Sequence, residues 1–431
     1  MTFKPRPYQK TAATRLAAKL RRSRAVVAVS PTGSGKTAIG VAAARAVKAK
    51  RVVWLAHRYE LLAQAERHLL ASGAAPDEIG WLSGRRSEQA DAAFLLASID
   101  MPADKLRAAL VSADLVVIDE AHRSRAPSYL KAIRVAKKAM LLGLTATPWR
   151  LDGAGLGTVY RELYLCATQS DLIADKYIAQ PVTYGVPKDE AAELVRGVAV
   201  NAGDYAHAKL GAAMSRRSLM GKVVAEWERL ALGRSTLVFA ASREHARKLC
   251  QQFKRRGHAF AYLDGETPPA ERDQRLADLA SGALTGVVNV DVLIEGFDCP
   301  AVKCVVLARP TRSLTRYLQQ VGRGSRRHGN MRPIVIDHAG NVWRFGLPEA
   351  ERAWSLEDAA VQKVRVGRNA DGEMVEVERT DEEIQEHEAE LKRLAARADE
   401  RDAARKRIEL VAKEQGRPKT WVEGVMQRMF A

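Results

Sequence analysis

Short apolar runs that alternate with helical stretches are the feature that most constrains the fold of this 431-residue chain. In the first part of the chain these runs lie at 25–30, 51–56, 114–120 and 139–145, with helical patterns at 36–49 and 58–72. Each run is rich in Val, Leu and Ile, which is typical of a strand buried on both faces of a parallel sheet. The alternation therefore predicts an open α/β sheet.

The same pattern then repeats later in the chain. Further strand candidates lie at 235–240, 258–263, 285–292, 302–308 and 332–337, with helices at 243–256 and 270–281. We therefore predict two α/β domains, at 1–165 and 181–345. A short connection at 166–180 would join them.

The sequence pattern changes after about residue 346, where strand-like runs fade. Residues 364–380 predict a small hairpin that turns at Asp371-Gly372. Residues 381–414 are dense in Glu, Arg, Ala and Lys without Gly or Pro, which predicts a long charged helix, either solvated or in a short coiled coil. We expect 346–431 to form a mostly helical C-terminal extension that ends in a short docked helix.

The composition favours a polyanionic partner. The chain has 69 Lys and Arg against 51 Asp and Glu, a net charge of +18, and such a balance suits phosphate binding. A basic surface that serves solubility, or an Arg-rich proteome, is the alternative. The four cysteines form no CxxC pair, so we expect no zinc site. Without a signal peptide or a membrane-length apolar run, we expect a soluble cytoplasmic protein.

The segment SPTGSGKT at 30–37 follows a predicted strand and opens a predicted helix, which is the setting of a phosphate-binding loop. Its backbone, through Thr32, Gly33, Ser34 and Gly35, would bind phosphate oxygens. Lys36 would reach the β- and γ-phosphates of ATP, and the Thr37 hydroxyl would bind Mg²⁺. The alternative is a glycine-rich turn without function. The loop therefore predicts ATP and Mg²⁺ as cofactors.

Two adjacent carboxylates end the apolar run at 114–120. Asp119 would bind Mg²⁺ through water, and Glu120 would orient or deprotonate the attacking water. Neighbouring acids at a strand end also occur as ordinary solvated turn residues. Following a phosphate-binding loop in the same predicted domain, they predict a hydrolytic site.

The order of the motifs resembles helicase superfamily 2. The first domain carries PTGSGKT at 31–37, DEAH at 119–122 and TATP at 145–148. In the second, 290–298 looks like motif V and 319–326 looks like motif VI. The resemblance covers about residues 3–345 and implies two RecA-like domains with ATP in the cleft between them.

The resemblance also implies roles for individual residues in the cleft. Arg323 and Arg326 would reach the γ-phosphate from the second domain as arginine fingers, and Gly296 and Asp298 would contact the nucleotide from the same side. A second set would link hydrolysis to domain movement: His122, Thr145, Thr147 and Gln319.

The N-terminal segment RPYQ resembles the part of these proteins that recognises adenine. Arg6, Tyr8 and Gln9 would contact the base, because a glutamine amide matches the paired donor and acceptor of adenine. The alternative is that the segment caps an N-terminal helix.

On the other face, residues 56–58 resemble motif Ia and would contact a nucleic-acid backbone through His57 and Arg58. Arg243 and Thr267 are candidates for the same contact in the second domain. Simple solvation is the alternative for each of them.

A finer resemblance is to RadD-like bacterial helicases and related phage proteins, on residues 55–64, 145–156, 295–302 and 336–341. The run WRLDG at 149–153 is not typical of DEAD-box RNA helicases, so the resemblance favours DNA over RNA. The chain departs from that family at 346–380, which contain no cysteine for the zinc-binding segment often found there.

Together these features predict an ATP-dependent helicase or translocase that acts on single-stranded or branched DNA in replication, recombination or repair. A replication or repair protein is a candidate partner, and the source would be bacterial or phage. The alternatives are an ATPase that remodels protein–DNA complexes without unwinding, and an RNA helicase. A non-hydrolysing scaffold is disfavoured because Lys36, Glu120 and Arg323 are all present.

Overall fold

The computed structural model describes residues 5–358, except for 197, 202, 203, 206, 216, 295–301, 328 and 330, together with 375–376. Gly296, Asp298, the helix predicted at 381–414 and the terminal segment lie outside the described residues. Of the hairpin predicted at 364–380, only Val375–Glu376 are described. None of the described helices is long and apolar enough to cross a membrane.

The first lobe is built on one eight-stranded sheet. Its strands are β1 Ala25–Val29, β2 Val52–Ala56, β3 Ile79–Leu82, β4 Ser87–Glu88, β5 Phe94–Ser98, β6 Leu115–Asp119, β7 Met140–Thr145 and β8 Glu162–Leu165. Their order is β4-β3-β5-β2-β6-β7-β1-β8, and all neighbours are parallel except β3 and β4. The helices are α1 Pro7–Ser23, α2 Lys36–Val47, α3 Tyr59–Ala71, α4 Ala103–Val111 and α5 Pro127–Val135.

Helices cover both faces of this sheet. Residues of α1, α2 and α3 pack in one apolar cluster, and residues of α4 and α5 pack in another on alternate residues of the same strands. Because both faces are covered, the strands are almost entirely apolar, as the sequence pattern predicted.

The connecting segment contains α6 Gln169–Ala174 and leads into the second lobe. The strands of this lobe are β9 Val182–Gly185, β10 Val200–Asn201, β11 Asp204–Tyr205, β12 Thr236–Ala240, β13 Phe260–Leu263, β14 Gly286–Asn289, β15 Cys304–Ala308, β16 Ile334–Asp337 and β17 Val375–Glu376. Its helices are α7 Lys188–Leu194, α8 His207–Met214, α9 Arg217–Ala231, α10 Arg243–Arg255, α11 Pro269–Ser281, α12 Leu314–Gly322 and α13 Asn341–Phe345.

The second sheet has the order β13-β14-β12-β15-β16-β9-β17, with β17 antiparallel at its edge, and β10 pairs separately with β11. Helices α9 and α10 contribute to one apolar cluster and α11 and α12 to another. The two parallel sheets confirm the predicted α/β fold class.

The structure corrects one strand boundary that matters for the site. The run at 285–292 forms a strand only over β14, because the Asn289 amide donates to the carbonyl oxygen of Val238 at 2.9 Å and Asp291 adopts a left-handed backbone conformation with φ 58°. The chain therefore leaves the sheet at this point, and residues 290–294 become a loop between the lobes.

Candidate active site

The loop between β1 and α2 has the conformation of a phosphate-binding loop. Gly33 (φ 85°) and Gly35 (φ 81°) both adopt the left-handed conformation that glycine reaches without steric cost. Ser34, between them, is fully buried. Lys36 and Thr37 are the first two residues of α2, where free backbone N–H groups and the helix dipole favour an anion.

The two predicted carboxylates lie at the end of β6, where Asp119 is the last residue of the strand and Glu120 follows it. Asp119 Oδ1 accepts a hydrogen bond from the Glu120 backbone N–H at 3.0 Å, its Oδ2 is buried, and the Trp54 indole lies beside the carboxyl group. Burial and the neighbouring Glu120 carboxylate raise the pKa of Asp119 to about 7, whereas Lys36 opposes this rise. A divalent cation would stabilise this buried pair of carboxylates in its ionised form.

Charged residues on both walls of the cleft shift the pKa of Lys36. Burial lowers the pKa of Lys36, and the Glu120 and Asp119 carboxylates act in the opposite direction. Arg323, from the second lobe, lowers it further. The Arg323 charge is therefore close enough to act on the lysine of the phosphate-binding loop.

One cavity of about 550 Å³ brings the predicted catalytic residues of both lobes together. The first-lobe wall includes Thr32, Gly33, Gly35, Lys36, Thr37, Asp119 and Glu120, and the second-lobe wall is formed by Arg323, Arg326 and Arg327. Gly322 lies so close to Thr32 that a Cβ atom on residue 322 would overlap the threonine side chain. The lobes are thus in contact beside this cavity.

Backbone contacts fix both arginines. The Arg323 guanidinium donates from Nε to the carbonyl oxygen of Ile294 at 3.0 Å. Arg326 forms an antiparallel β-bridge with Ile178 of the connecting segment. Burial lowers the pKa of Arg326. A phosphate in the cavity would supply the counter-charge that this partly buried guanidinium favours.

Two residues of the N-terminal segment, Tyr8 and Gln9, support the phosphate-binding loop, whereas Arg6 lines the cavity. The Gln9 amide donates from Nε2 to the Ser34 carbonyl oxygen at 3.0 Å and accepts from the Arg6 backbone N–H at 2.9 Å. The Tyr8 hydroxyl donates to the same Ser34 oxygen. Both ends of the Gln9 side chain are therefore engaged within the protein, and its bond to the Arg6 N–H caps α1; adenine contact by this segment stays a prediction.

An aromatic ring of the connecting segment lines the cavity instead. Tyr177 lies in the wall together with Arg6, whose guanidinium stacks over its ring at 4.5 Å. The ring of Tyr8 packs behind Tyr177 at 5.3 Å. Sequence reasoning missed Tyr177, and no local motif marks it.

The residues predicted to couple hydrolysis to movement are buried beside the cleft. The Thr145 hydroxyl donates to the Thr147 carbonyl oxygen at 2.7 Å, and the Thr145 carbonyl accepts from the Ser30 N–H at 3.0 Å. His122 Nδ1 lies 3.4 Å from Glu120 Oε2. Gln319 is buried in α12. The TATP segment is thus bonded directly to the start of the phosphate-binding loop.

A second cavity, of about 980 Å³, lies between the lobes and contains most of the predicted nucleic-acid contacts. His57, Arg58 and Arg85 line it from the first lobe, and Arg243 and Arg272 line it from the second. We call this cavity the inter-lobe groove. Arg85 and Arg272 were not predicted, since isolated surface arginines carry no sequence signal.

The candidate contacts in the groove differ in how they are held. Arg58 donates from Nη1 to the Val292 carbonyl oxygen at 3.0 Å, across the lobes. Arg243 is half-exposed and pairs with Glu266 at 2.6 Å. Thr267 does not line the groove: it is buried, and its hydroxyl donates to Asp264 Oδ1 at 3.1 Å. Thr267 therefore supports the loop after β13 from the inside and is not part of the groove surface.

A buried charge network anchors the loop at 290–294. Asp291 Oδ1 accepts from Arg309 Nη1 at 2.7 Å and also from Arg316. The Asp204 carboxylate accepts from the Thr311 hydroxyl at 2.9 Å and lies 3.4 Å from Arg316. Sequence reasoning missed this network because Asp204 arrives from the distant β10–β11 hairpin.

The chain matches known helicase families in both lobes. Residues 2–150 match the family described as type III restriction enzyme, res subunit, and residues 219–328 match the helicase conserved C-terminal domain. A 51.5 kDa protein of a Lactococcus phage is 29% identical over 327 residues, which cover 75% of this chain and 68% of that protein.

Two further relatives extend the comparison. A Schizosaccharomyces pombe protein named as a candidate mitochondrial ATP-dependent helicase, irc3, is 30% identical over 362 residues, or 80% of this chain. This chain spans only 59% of the length of that protein. A fragment of a candidate HsdR subunit of a type I restriction enzyme from Vibrio vulnificus shares the fold, with a TM-score of 0.60 and 19% identity over 79% of this chain and 65% of the fragment. With its motifs, its two RecA-like domains and these matches, the chain belongs to helicase superfamily 2, a class of ATP-hydrolysing enzymes.

Proposed function

We propose that this protein is an ATP-dependent DNA helicase or translocase, which hydrolyses ATP between its lobes and moves along a nucleic-acid strand held in the inter-lobe groove. The observation that carries the proposal is the cavity lined by Lys36, Asp119 and Glu120 from one lobe and by Arg323 and Arg326 from the other. A site completed only by both lobes makes nucleotide binding sensitive to their relative position.

Mg²⁺ fits the proposed site. Thr37 and Asp119 both line the cavity, and hydroxyl and carboxylate oxygens are ligands that Mg²⁺ prefers. Burial and the neighbouring Glu120 carboxylate raise the pKa of Asp119, and a divalent cation would favour its ionised form. When bound, Mg²⁺ would neutralise charge on the phosphate oxygens and lower the energy of the transition state.

The protein side chains would divide the remaining work. Lys36 and the backbone N–H groups at the start of α2 bind the phosphates. Glu120 orients the attacking water and accepts its proton, while Arg323 and Arg326 stabilise charge that develops on the γ-phosphate oxygens. Tyr177 and Arg6 provide a flat surface for the base at the other end of the cavity.

The loop at 290–294 provides a path from hydrolysis to movement. Arg58 of the groove binds the Val292 carbonyl oxygen, and Arg323 of the nucleotide cavity binds the Ile294 carbonyl oxygen, two residues away. When Arg323 turns toward a phosphate, it must leave Ile294. The same loop segment would then be free to shift against the residues that grip the nucleic acid.

DNA is the proposed substrate on the resemblance to RadD-like helicases, and the groove residues would bind its phosphates with little sequence preference. A role in replication, recombination or repair, a protein partner in those processes and a bacterial or phage cytoplasm belong to the same proposal. Remodelling of protein–DNA complexes without unwinding, and RNA as the substrate, are the competing functions.

The test is ATP hydrolysis by the purified protein, measured side by side with single-stranded DNA, forked DNA and RNA of matched sequence. We expect DNA to stimulate turnover strongly and RNA weakly. A fluorescent strand-displacement assay on the forked DNA then separates unwinding from translocation alone. Stimulation by RNA alone, or equal turnover with and without nucleic acid, would contradict the proposal.

A further inference from the structure

A segment beyond the second lobe returns to the first lobe. Residues 351–358 follow α13 and pack on the loop at 149–157, which comes directly after the TATP motif. We call residues 351–358 the strap. It joins the lobes a second time, through non-covalent contacts with the first lobe, besides the covalent connecting segment at 166–180.

The strap is fixed at its second-lobe end by a compact turn. The Arg352 guanidinium donates to the carbonyl oxygens of Phe345, Leu347, Pro348 and Ala350. The Tyr317 hydroxyl, from α12, donates to the Gly346 carbonyl oxygen at 3.0 Å. Because α12 also leads into Arg323, one helix both holds the turn before the strap and carries the predicted arginine finger at its end.

At its first-lobe end the strap binds as an extended peptide would. The Trp149 indole donates from Nε1 to the Glu357 carbonyl oxygen at 2.9 Å and packs against Trp354 with ring centroids 4.9 Å apart. The Gly157 N–H donates to the Leu356 carbonyl oxygen at 2.8 Å. The Asp358 carboxylate accepts from the Gly155 N–H at 2.8 Å.

Gly155 permits this close approach. A Cβ atom at residue 155 would overlap the carbonyl oxygens of Leu356 and Glu357. Its backbone does not need the left-handed conformation, since its φ is not among the positive values. The position therefore requires glycine for contact with the strap and not for the path of the loop.

Trp149 also contacts the helix that leads to the arginines. The Thr315 hydroxyl, in α12, donates to the Trp149 carbonyl oxygen at 3.0 Å, and both residues are buried. Thr147, two residues before Trp149, donates its N–H to the Thr145 hydroxyl oxygen, and the Thr145 carbonyl oxygen accepts from Ser30 of the phosphate-binding loop. One tryptophan thus joins the nucleotide-binding motifs of the first lobe, helix α12 of the second lobe and the strap.

We propose that Trp149 is a positioning residue: with the strap docked on it, it holds the second lobe close to the first before ATP and nucleic acid bind. A tether between two lobes raises their effective concentration and lowers the entropic cost of closing the cleft. The strap therefore assists closure of the cleft without taking part in the chemistry. This inference rests on the proposed function.

Two substitutions release the strap by different means. Gly155→Ala inserts a methyl group between loop and strap, and Trp354→Ala removes the half-buried ring from the strap itself. The matched control is Gly221→Ala, because Gly221 lies on the exposed face of α9 with no atom within 4 Å of an added Cβ. Trp149→Phe retains a ring but loses the Nε1 donor, and it should give an intermediate effect.

The experiment measures the distance between the lobes by single-molecule Förster resonance energy transfer. Dyes are placed through Asp104→Cys and Asp273→Cys, exposed positions in α4 and α11. Without ligands, the parent and Gly221→Ala should show a narrow population at high energy-transfer efficiency. Gly155→Ala and Trp354→Ala should show a broader population at lower efficiency. Saturating single-stranded DNA with a non-hydrolysable ATP analogue should restore the parent distribution in all of them.

Steady-state ATP hydrolysis supplies a second readout. Strap variants should raise KM for single-stranded DNA several-fold and leave kcat at saturation within about twofold, because only the cost of closure changes. Unchanged transfer in both strap variants would overturn the strap inference, whatever the ATPase result. If the variants show the predicted change in energy transfer but the parent protein does not hydrolyse ATP, the strap inference stands and the proposed function is overturned.

Discussion

The Cα atom of Gly322, in the second lobe, lies against the side chain of Thr32 in the phosphate-binding loop of the first lobe. Only a hydrogen atom fits between them, since a Cβ atom on residue 322 would overlap both Cβ and Cγ2 of the threonine. Arg323 follows immediately, so this contact sets how closely the predicted finger approaches the phosphate-binding loop. The glycine of the QxxGR pattern is required here by the packing of two lobes.

Gly322→Ala should therefore hold the cleft open. Overpacking of this kind typically costs about 1–3 kcal/mol, so we expect kcat/KM for ATP to fall at least about fivefold. Gly221→Ala, in an exposed helical site, is the control and should keep parental kinetics. Parental kinetics for Gly322→Ala would show that the lobes do not need this contact during turnover.

Lys36→Ala should abolish ATP hydrolysis, with a loss of at least about 100-fold, because the cation that binds the β- and γ-phosphates is removed from the cavity wall. Lys105→Ala, on the exposed surface of α4, is the matched control. The measurement is phosphate release at saturating single-stranded DNA. Normal turnover in Lys36→Ala would place the ATP site elsewhere.

A salt titration should distinguish the two second-lobe residues predicted to contact nucleic acid, Arg243, which lines the groove, and Thr267, which does not. Arg243→Ala should reduce the slope of log affinity against log salt concentration for single-stranded DNA by about 0.7, the value for one phosphate contact. Thr267→Val should leave that slope unchanged, because its hydroxyl is buried against Asp264. Fluorescence anisotropy at several salt concentrations measures both, and equal slopes for Arg243→Ala and the parent would remove Arg243 from the interface.

His245 should make the second lobe sensitive to acid. Burial, with a smaller effect of Lys248, lowers the pKa of His245 to about 4, and its Nδ1 accepts from the Ala241 N–H at 3.2 Å. The unfolded chain, whose histidine titrates near 6.5, then binds more protons than the folded chain between about pH 6.5 and 4. The free energy of unfolding should therefore fall as the pH is lowered through that range.

His245→Gln should flatten this dependence, because glutamine takes up no proton in either state. Buried His338, whose pKa is lowered to about 3, contributes in the same direction, so part of the slope should remain. Urea unfolding at intervals between pH 7 and 4 measures the slope of the free energy of unfolding against pH. A slope identical to that of the parent would contradict the account of His245.

The nucleotide site could be predicted from the sequence where its residues are close together in the chain. The helix that begins at Lys36 and the carboxylates at the end of the strand 115–119 depend on local spacing, and the structure brings both into one cavity. Arg323 and Arg326 required the family resemblance, because nothing local to them indicates that they face another lobe.

Features that depend on distant contacts could not be predicted. Strands β3, β5, β8 and β9 were missed because their apolar runs are short, and only neighbouring strands in the sheet complete them. Tyr177 reaches the cavity by packing on Arg6, and Gln9 supports the loop at Ser34. Such roles are set by how lobes and segments meet, which residue spacing does not encode.

In the proposed mechanism Arg323 acts on the γ-phosphate of a nucleotide bound between the lobes, and the most direct measurement of this role compares ATP binding with ATP turnover in Arg323→Ala. An arginine finger acts mainly on the transition state, so we predict an ATP affinity within about threefold of the parent and a loss of about 10³-fold or more in kcat. Arg255→Ala, on the exposed end of α10, serves as the control. Turnover near the parental rate in Arg323→Ala, or a loss of ATP affinity as large as the loss of turnover, would contradict the account.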